Sequence, residues 1–279
     1  MLRLLHTLLR YWHLLSLDAP TVAALWCWAF GRAARLWLAP WLPLALALGT
    51  WLFYVADRLL DARLSTAASL QERHRFHERH RRWFLGVAAP VALTLAFLIS
   101  RMPRTLIASY CVLGALSLLY LALVHLPARA SGRSFRYFAR YFPKEFVVAL
   151  LFAAASALPA WDEARRRAMG MPRHHPLLLL CPLFAALCWL NCVAIEDWEQ
   201  HHGPRRIQWL ATLTIAAGYG GLFELMYRPA RWLAIAAILS GVLFLVLDRS
   251  RLTAAGRRIA ADLALLTPLL LPLAARLTR

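Results

Sequence analysis

Two stretches restrict this chain to one class of structure: residues 36–56 and 105–126 each run without a single Asp, Glu, Lys or Arg. At 1.5 Å per residue, a helix of about 20 apolar residues matches the roughly 30 Å of hydrocarbon in a bilayer. In that medium no water is available to the backbone, so each run must satisfy its N–H and C=O groups internally, as a helix does. Composition agrees. The chain is 61% hydrophobic and 16% charged, with a mean hydropathy of +0.54, where soluble domains hold about 45–50% apolar and about 25% charged residues. A water-soluble globular domain is excluded.

Cutting the sequence at charges, Pro and Gly gives nine apolar segments, at 20–30, 36–56, 83–100, 105–126, 146–161, 176–195, 207–227, 232–247 and 259–274. The expectation is an all-α polytopic bundle of about nine transmembrane helices, forming one integral membrane domain over 1–279. Residues 1–17 alternate Arg3, His6, Arg10 and His13 with leucines and lack a small-residue cleavage site, so they read as an interfacial amphipathic helix and not as a signal peptide. Alternating the connections from the N-terminus puts twenty of the 32 basic residues on one side. By the positive-inside rule that side is cytoplasmic, with the N-terminus on it and the C-terminus opposite.

The net charge of +18 points to membrane lipids and not to nucleic acid, because the arginines sit between apolar runs and form no stripe. Absence of a targeting segment and the arginine excess, with Lys144 the one lysine, suit a bacterial inner membrane. Cys27, Cys111, Cys181, Cys188 and Cys192 all fall in apolar segments without CxxC spacing, which indicates no disulfide framework. Trp26, Trp28, Trp37, Trp41, Trp51 and Trp83 fall near segment ends and read as an interfacial belt.

Only 14 residues are acidic, so their placement is informative. Asp57 and Asp61 end the second segment, four residues apart and hence on one helix face. Glu196, Asp197 and Glu199 end the sixth, and the topology puts both groups on the cytoplasmic side. Carboxylates at the mouth of a helical bundle suit Mg²⁺, which is held by one or two carboxylates while substrate phosphates and waters fill its octahedron. Arg58 and Lys144 are the nearby cations that would neutralise a diphosphate. The bland alternative is a set of interfacial salt bridges.

These residues resemble the UbiA superfamily of intramembrane prenyltransferases, built of nine helices with acidic motifs after the second and sixth. The family's first motif, Asn-Asp-x-x-Asp-Arg-x-x-Asp, aligns with Phe53 to Asp61, so that Asp57, Arg58 and Asp61 match while Phe53 and Tyr54 replace the opening pair. Its second, Asn-x-x-x-Asp-x-Glu-x-Asp-x-x-x-Gly, aligns from Asn191, with Ile195 at the first acid, Asp197 and Glu199 at the next two and Gly203 at the glycine. Pro143-Lys144-Glu145 is similar to the stretch before the fifth helix, where members carry a cation facing the diphosphate. The resemblance implies Mg²⁺-dependent transfer of an isoprenyl group from an isoprenyl diphosphate to a hydrophobic, aromatic acceptor. It further implies Asp57, Asp61, Asp197 and Glu199 as catalytic metal ligands, and Arg58, Lys144, Asn191 and Tyr54 as substrate-binding residues.

Two other classes compete. A catalytically inactive UbiA-fold scaffold or lipid-binding protein would also retain the helices and the basic loops. A membrane di-iron enzyme would use the histidines His74, His77, His80, His174, His175, His201 and His202. The topology opposes it, since His174 and His175 fall on the far side. A solvated basic loop is the expectation for the first histidine run.

Overall fold

A computed structural model describes residues 2–64, 72–125, 143–167, 171–200, 203–225 and 228–270. Among them the chain is helical, with no strand: α1 (Leu2–Leu14), α2 (Asp18–Ala33), α3 (Trp41–Leu64), α4 (Glu72–Arg79), α5 (Arg81–Ile99), α6 (Arg104–His125), α7 (Lys144–Arg166), α8 (Met171–Gln200), α9 (Arg205–Glu224), α10 (Arg228–Asp248) and α11 (Ala254–Ala264), then a 3₁₀ turn at Thr267–Leu270. Among the described residues five helices are long and apolar enough to cross a membrane, within α3, α5, α7, α8 and α10, or six if α1 and α2, bent by 87°, count as one broken span. Exposure follows the solvent expected of such helices. On α5 the large apolar side chains Leu85, Leu93 and Phe97 face outward, and the buried residues are Phe84 and Leu98. In water such a surface would be an association site; in hydrocarbon it is the ordinary exterior.

The chain forms two compact units, one of Met1–Ala24 with Ala39–Pro103 and one of Leu25–Leu38 with Arg104–Arg279. In the first, α3 packs on α4 and α5 around Trp51, Val55 and Phe84, joined by Leu15, Leu52, Leu59 and Phe76. Helix α1 ends in a Schellman motif: Leu17 N–H donates to Trp12 O at 3.0 Å and Ser16 N–H to His13 O at 3.1 Å, with Ser16 left-handed at φ 54°. That conformation costs a non-glycine residue about 1–2 kcal/mol. The two backbone bonds, and a third in which Arg58 Nε donates to Ser16 Oγ at 2.7 Å, offset it.

In the second unit α8 is the hub, packed against α7, α9, α10 and α11. Trp26 stacks on Phe184 with ring centroids 4.0 Å apart, and its Nε1 donates to Leu265 O at 2.9 Å. Helices α9 and α10 approach closely at small residues. A Cβ on Gly218 would lie 2.6 Å from Ile238, and one on Gly241 2.9 Å from Ile215, the small-residue packing typical of helices in membranes.

Several expectations are corrected. Trp26 and Trp51 are core residues, fully and almost fully buried, because each finds a carbonyl for its indole N–H, whereas Trp37 and Trp83 remain exposed. The first histidine run is not a solvated loop: it forms α4, whose His77 is buried and stacked on Phe84 at 4.0 Å, with Ser16 Oγ 3.4 Å from its Nε2. The second segment starts as a helix at Trp41, not at 36, since Pro40 disfavours helical geometry at Ala39. The segment 259–274 is not one helix. It leaves α-geometry after Ala264 and turns 3₁₀ at Thr267–Leu270, where Pro268 has no N–H to give. The side chains of His74, His174, His175, His201 and His202 lie outside the described residues.

Candidate functional site

The first acidic motif occupies the last turns of α3, in the first unit. Asp57 and Asp61 are both half-buried, one turn apart. Arg58 points inward and is 4% exposed: beside its bond to Ser16, its guanidinium carbon lies 5.5 Å from the centre of the Tyr54 ring, and it is within Coulombic reach of Asp18. Asp18 in turn holds His13 Nδ1 at 2.8 Å. Arg58 therefore anchors the turn between α1 and α2, a structural task that its position in an acidic motif gave no hint of.

The second motif belongs to the other unit and ends α8. Helix α8 runs antiparallel to α7, as Phe146 meets Trp189 and Phe152 meets Phe184. The C-terminal end of α8 thus lies at the end where α7 begins. The same end receives the start of α9, the end of α10 and the start of α11. Arg206 Nη1 on α9 donates to the fully buried Asp197 carboxylate at 3.0 Å and lies 3.7 Å from Glu196. Trp198 Nε1 donates to Asp248 Oδ1 on α10 at 3.1 Å, while Arg257 on α11 lies 5.8 Å over the Trp198 ring. Arg258, also on α11, donates to the Glu199 carboxylate. Four helices so place their charges together.

Just beneath, α7 and α8 hold a second polar layer. Lys144 is exposed with its ammonium 3.7 Å from Glu145 Oε1, and that oxygen is buried without a hydrogen-bond donor. Asn191 Nδ2 donates to Asp262 Oδ1 of α11 at 3.2 Å, leaving Asn191 Oδ1 buried and without a donor. Buried oxygens in this condition cost about 1–3 kcal/mol each unless something satisfies them. Oxygen donors of this kind suit a hard cation such as Mg²⁺, but Asp197 and Glu199 face different helices, toward Arg206 and Arg258. The neighbouring Cys192 thiol is not a donor of this kind.

The structure therefore assembles Lys144, Asn191, Asp197 and Glu199 at one end of the second unit, and Tyr54, Asp57, Arg58 and Asp61 within the first. Sequence reasoning missed Glu145, Arg206, Arg257, Arg258 and Asp262. For Asp262 a signal existed: it is a lone carboxylate inside an apolar segment, where an ionisable residue is a functional candidate by default. No family model, curated protein or solved structure matches the chain.

Proposed function

We propose that this chain is a UbiA-like membrane prenyltransferase that moves an isoprenyl group from an isoprenyl diphosphate to a hydrophobic, aromatic acceptor. The observation that supports the reading best is the collection of carboxylates and cations from α7, α8, α9, α10 and α11 at one end of an otherwise apolar helical unit. Burying the carboxylates of Glu145 and Asp197 is a costly arrangement. It is accounted for where a highly charged headgroup must be held while its apolar chain lies among the helices. Asp57 and Asp61 in the first unit, and Asp197 and Glu199 in the second, are the proposed Mg²⁺ ligands, and the metal would neutralise the diphosphate as it departs. Arg58, Tyr54, Lys144 and Asn191 are the proposed substrate contacts. In the transfer, the allylic C–O bond breaks with its electron pair leaving on the diphosphate, a carbon of the acceptor bonds to the allylic cation, and the acceptor then loses a proton. Nine spans, with the N-terminus and both acidic motifs cytoplasmic in a bacterial inner membrane, complete the proposal.

The test is binding of a non-hydrolysable isoprenyl diphosphate analogue to the detergent-purified chain, with and without Mg²⁺. Saturable, Mg²⁺-dependent binding that Asp61→Ala and Asp197→Ala each remove is the expected result. A monodisperse, helical protein without binding would overturn the reading. It would favour a non-catalytic scaffold, a reading that the engagement of Asp197 by Arg206 and of Glu199 by Arg258 also supports.

A further inference from the structure

In the first unit, the elbow between α4 and α5 carries a groove of about 750 Å³, lined by the cations Arg79, Arg81 and Arg82, the acid Glu78 and the apolar Trp83 and Leu85. The core beneath fixes its shape. Phe84 is fully buried with His77 stacked on it, and steps of about 100° along a helix turn its neighbours Trp83 and Leu85 outward, where each is about half exposed. His80 holds the corner: its Nδ1 donates to Phe76 O at 2.9 Å, and its ring lies 4.3 Å from that of Phe76, which packs on the same core. Arg79 and Arg82 are exposed and Arg81 is half-buried. Among the described residues none of the three has an ion-pair partner. The groove therefore holds three cations against one carboxylate.

Along α5 the surface changes character. Arg81, Leu85, Ala89, Leu93 and Phe97 stand four apart and so form one ridge, and every member from Leu85 onward is exposed. At 1.5 Å per residue the apolar part of the ridge runs about 18 Å, more than half of the roughly 30 Å of hydrocarbon. Beside Leu85, a Cβ on Gly86 would meet nothing within 4 Å, which leaves a trough next to the ridge. Trp83 falls between the cations and the ridge, the place of an aromatic at a bilayer boundary. A free phosphate would engage the arginines alone, whereas a lipid engages both halves of this surface. We propose that the α4–α5 elbow binds a phospholipid of net negative charge, with its phosphate on Arg79, Arg81 and Arg82 and an acyl chain along Leu85, Ala89, Leu93 and Phe97. The excess of cations selects a net-negative headgroup over a zwitterionic one. The site belongs to the first unit alone and stands whether or not the chain handles a diphosphate.

The experiment titrates phosphatidylglycerol, or phosphatidylcholine with the same acyl chains, into the delipidated full chain in detergent and counts bound lipid by native mass spectrometry. The unsubstituted chain should prefer phosphatidylglycerol by about tenfold or more, and Arg81→Gln combined with Arg82→Gln should lower that preference to about threefold or less. Arg101→Gln combined with Arg104→Gln removes the same charge from the opposite end of α5 and the start of α6, and should leave the preference in place. Gly86→Trp keeps every cation and has room for its side chain, so it should fold, fill the trough and weaken phosphatidylglycerol binding by about threefold or more. It decides the matter if the Arg81 and Arg82 variant loses the helicity of the unsubstituted chain. A preference that survives in the Arg81 and Arg82 variant, one that falls equally in both double variants, or unchanged binding in Gly86→Trp overturns the inference. Displacement of bound phosphatidylglycerol by inorganic phosphate at equal concentration marks a free-anion site and overturns it as well.

Discussion

The two ends of the second unit pair their charges differently. At the far end, the last turns of α7 read Asp162, Glu163, Arg165, Arg166 and Arg167, and the pairs stay within that helix: Arg166 Nε to Asp162 at 2.9 Å, Arg165 to Asp162 at 3.6 Å and Arg167 Nε to Glu163 at 2.5 Å. At the near end the partners come from different helices, as Asp197 with Arg206, Trp198 with Asp248 and Glu199 with Arg258. Pairs three and four apart on one helix stabilise it by about 0.2–0.5 kcal/mol, and arginines at a helix C-terminus also oppose its dipole. That suffices to finish a helix. A network crossing four helices fixes the helices relative to one another, and on the proposed reading it is the surface that receives the diphosphate.

The sharpest way to break this contrast is to remove one acid from each end. Asp197→Ala should weaken Mg²⁺-dependent binding of the diphosphate analogue by about a hundredfold or more, on the scale of a lost metal ligand and its charge. Asp162→Ala should leave it within a factor of two, as titrations of the two variants will show. Next in size, Asn191→Leu deletes the amide that donates to Asp262 and should lower stability in detergent by about 1–2 kcal/mol, read as the midpoint of thermal unfolding. An unchanged midpoint would mean that the deeper polar layer contributes nothing to the bundle. A substitution at the seam of α9 and α10 sharpens the point from the apolar side. Gly218→Val would drive its side chain into Ile238 and should cost about 1–3 kcal/mol by the same measurement. The smallest effect belongs to the far end: Arg167→Ala, about half exposed, should shift stability by under about 0.5 kcal/mol.

The same contrast explains what the sequence made legible. Uncharged runs and the prolines and charges that punctuate them reveal where helices lie, because the bilayer imposes length and internal hydrogen bonding on every span. They do not reveal which side of a helix is inside. In water an apolar stripe marks the core, but lipid and core are equally apolar, so nothing in the local sequence distinguishes the buried Trp26 from the exposed Trp37. Ser16 and Arg35, left-handed at φ 54° and 58°, end helices where no glycine announces it. Of the candidate site, Asp197, Glu199, Asn191 and Lys144 could be found from spacing. Arg258 could not, since its partner lies 59 residues away and only the packing of α11 on α8 brings them together.

On the proposed reading, the near end of the second unit receives a metal and a diphosphate. Hydrogen–deuterium exchange of the full chain, with and without Mg²⁺ and the analogue together, tests it most directly. Slowed exchange at 196–206 and 248–258, with residues 162–167 unchanged, is the predicted result. Binding of the analogue with protection at 162–167, or with no change at 196–206 and 248–258, would contradict it.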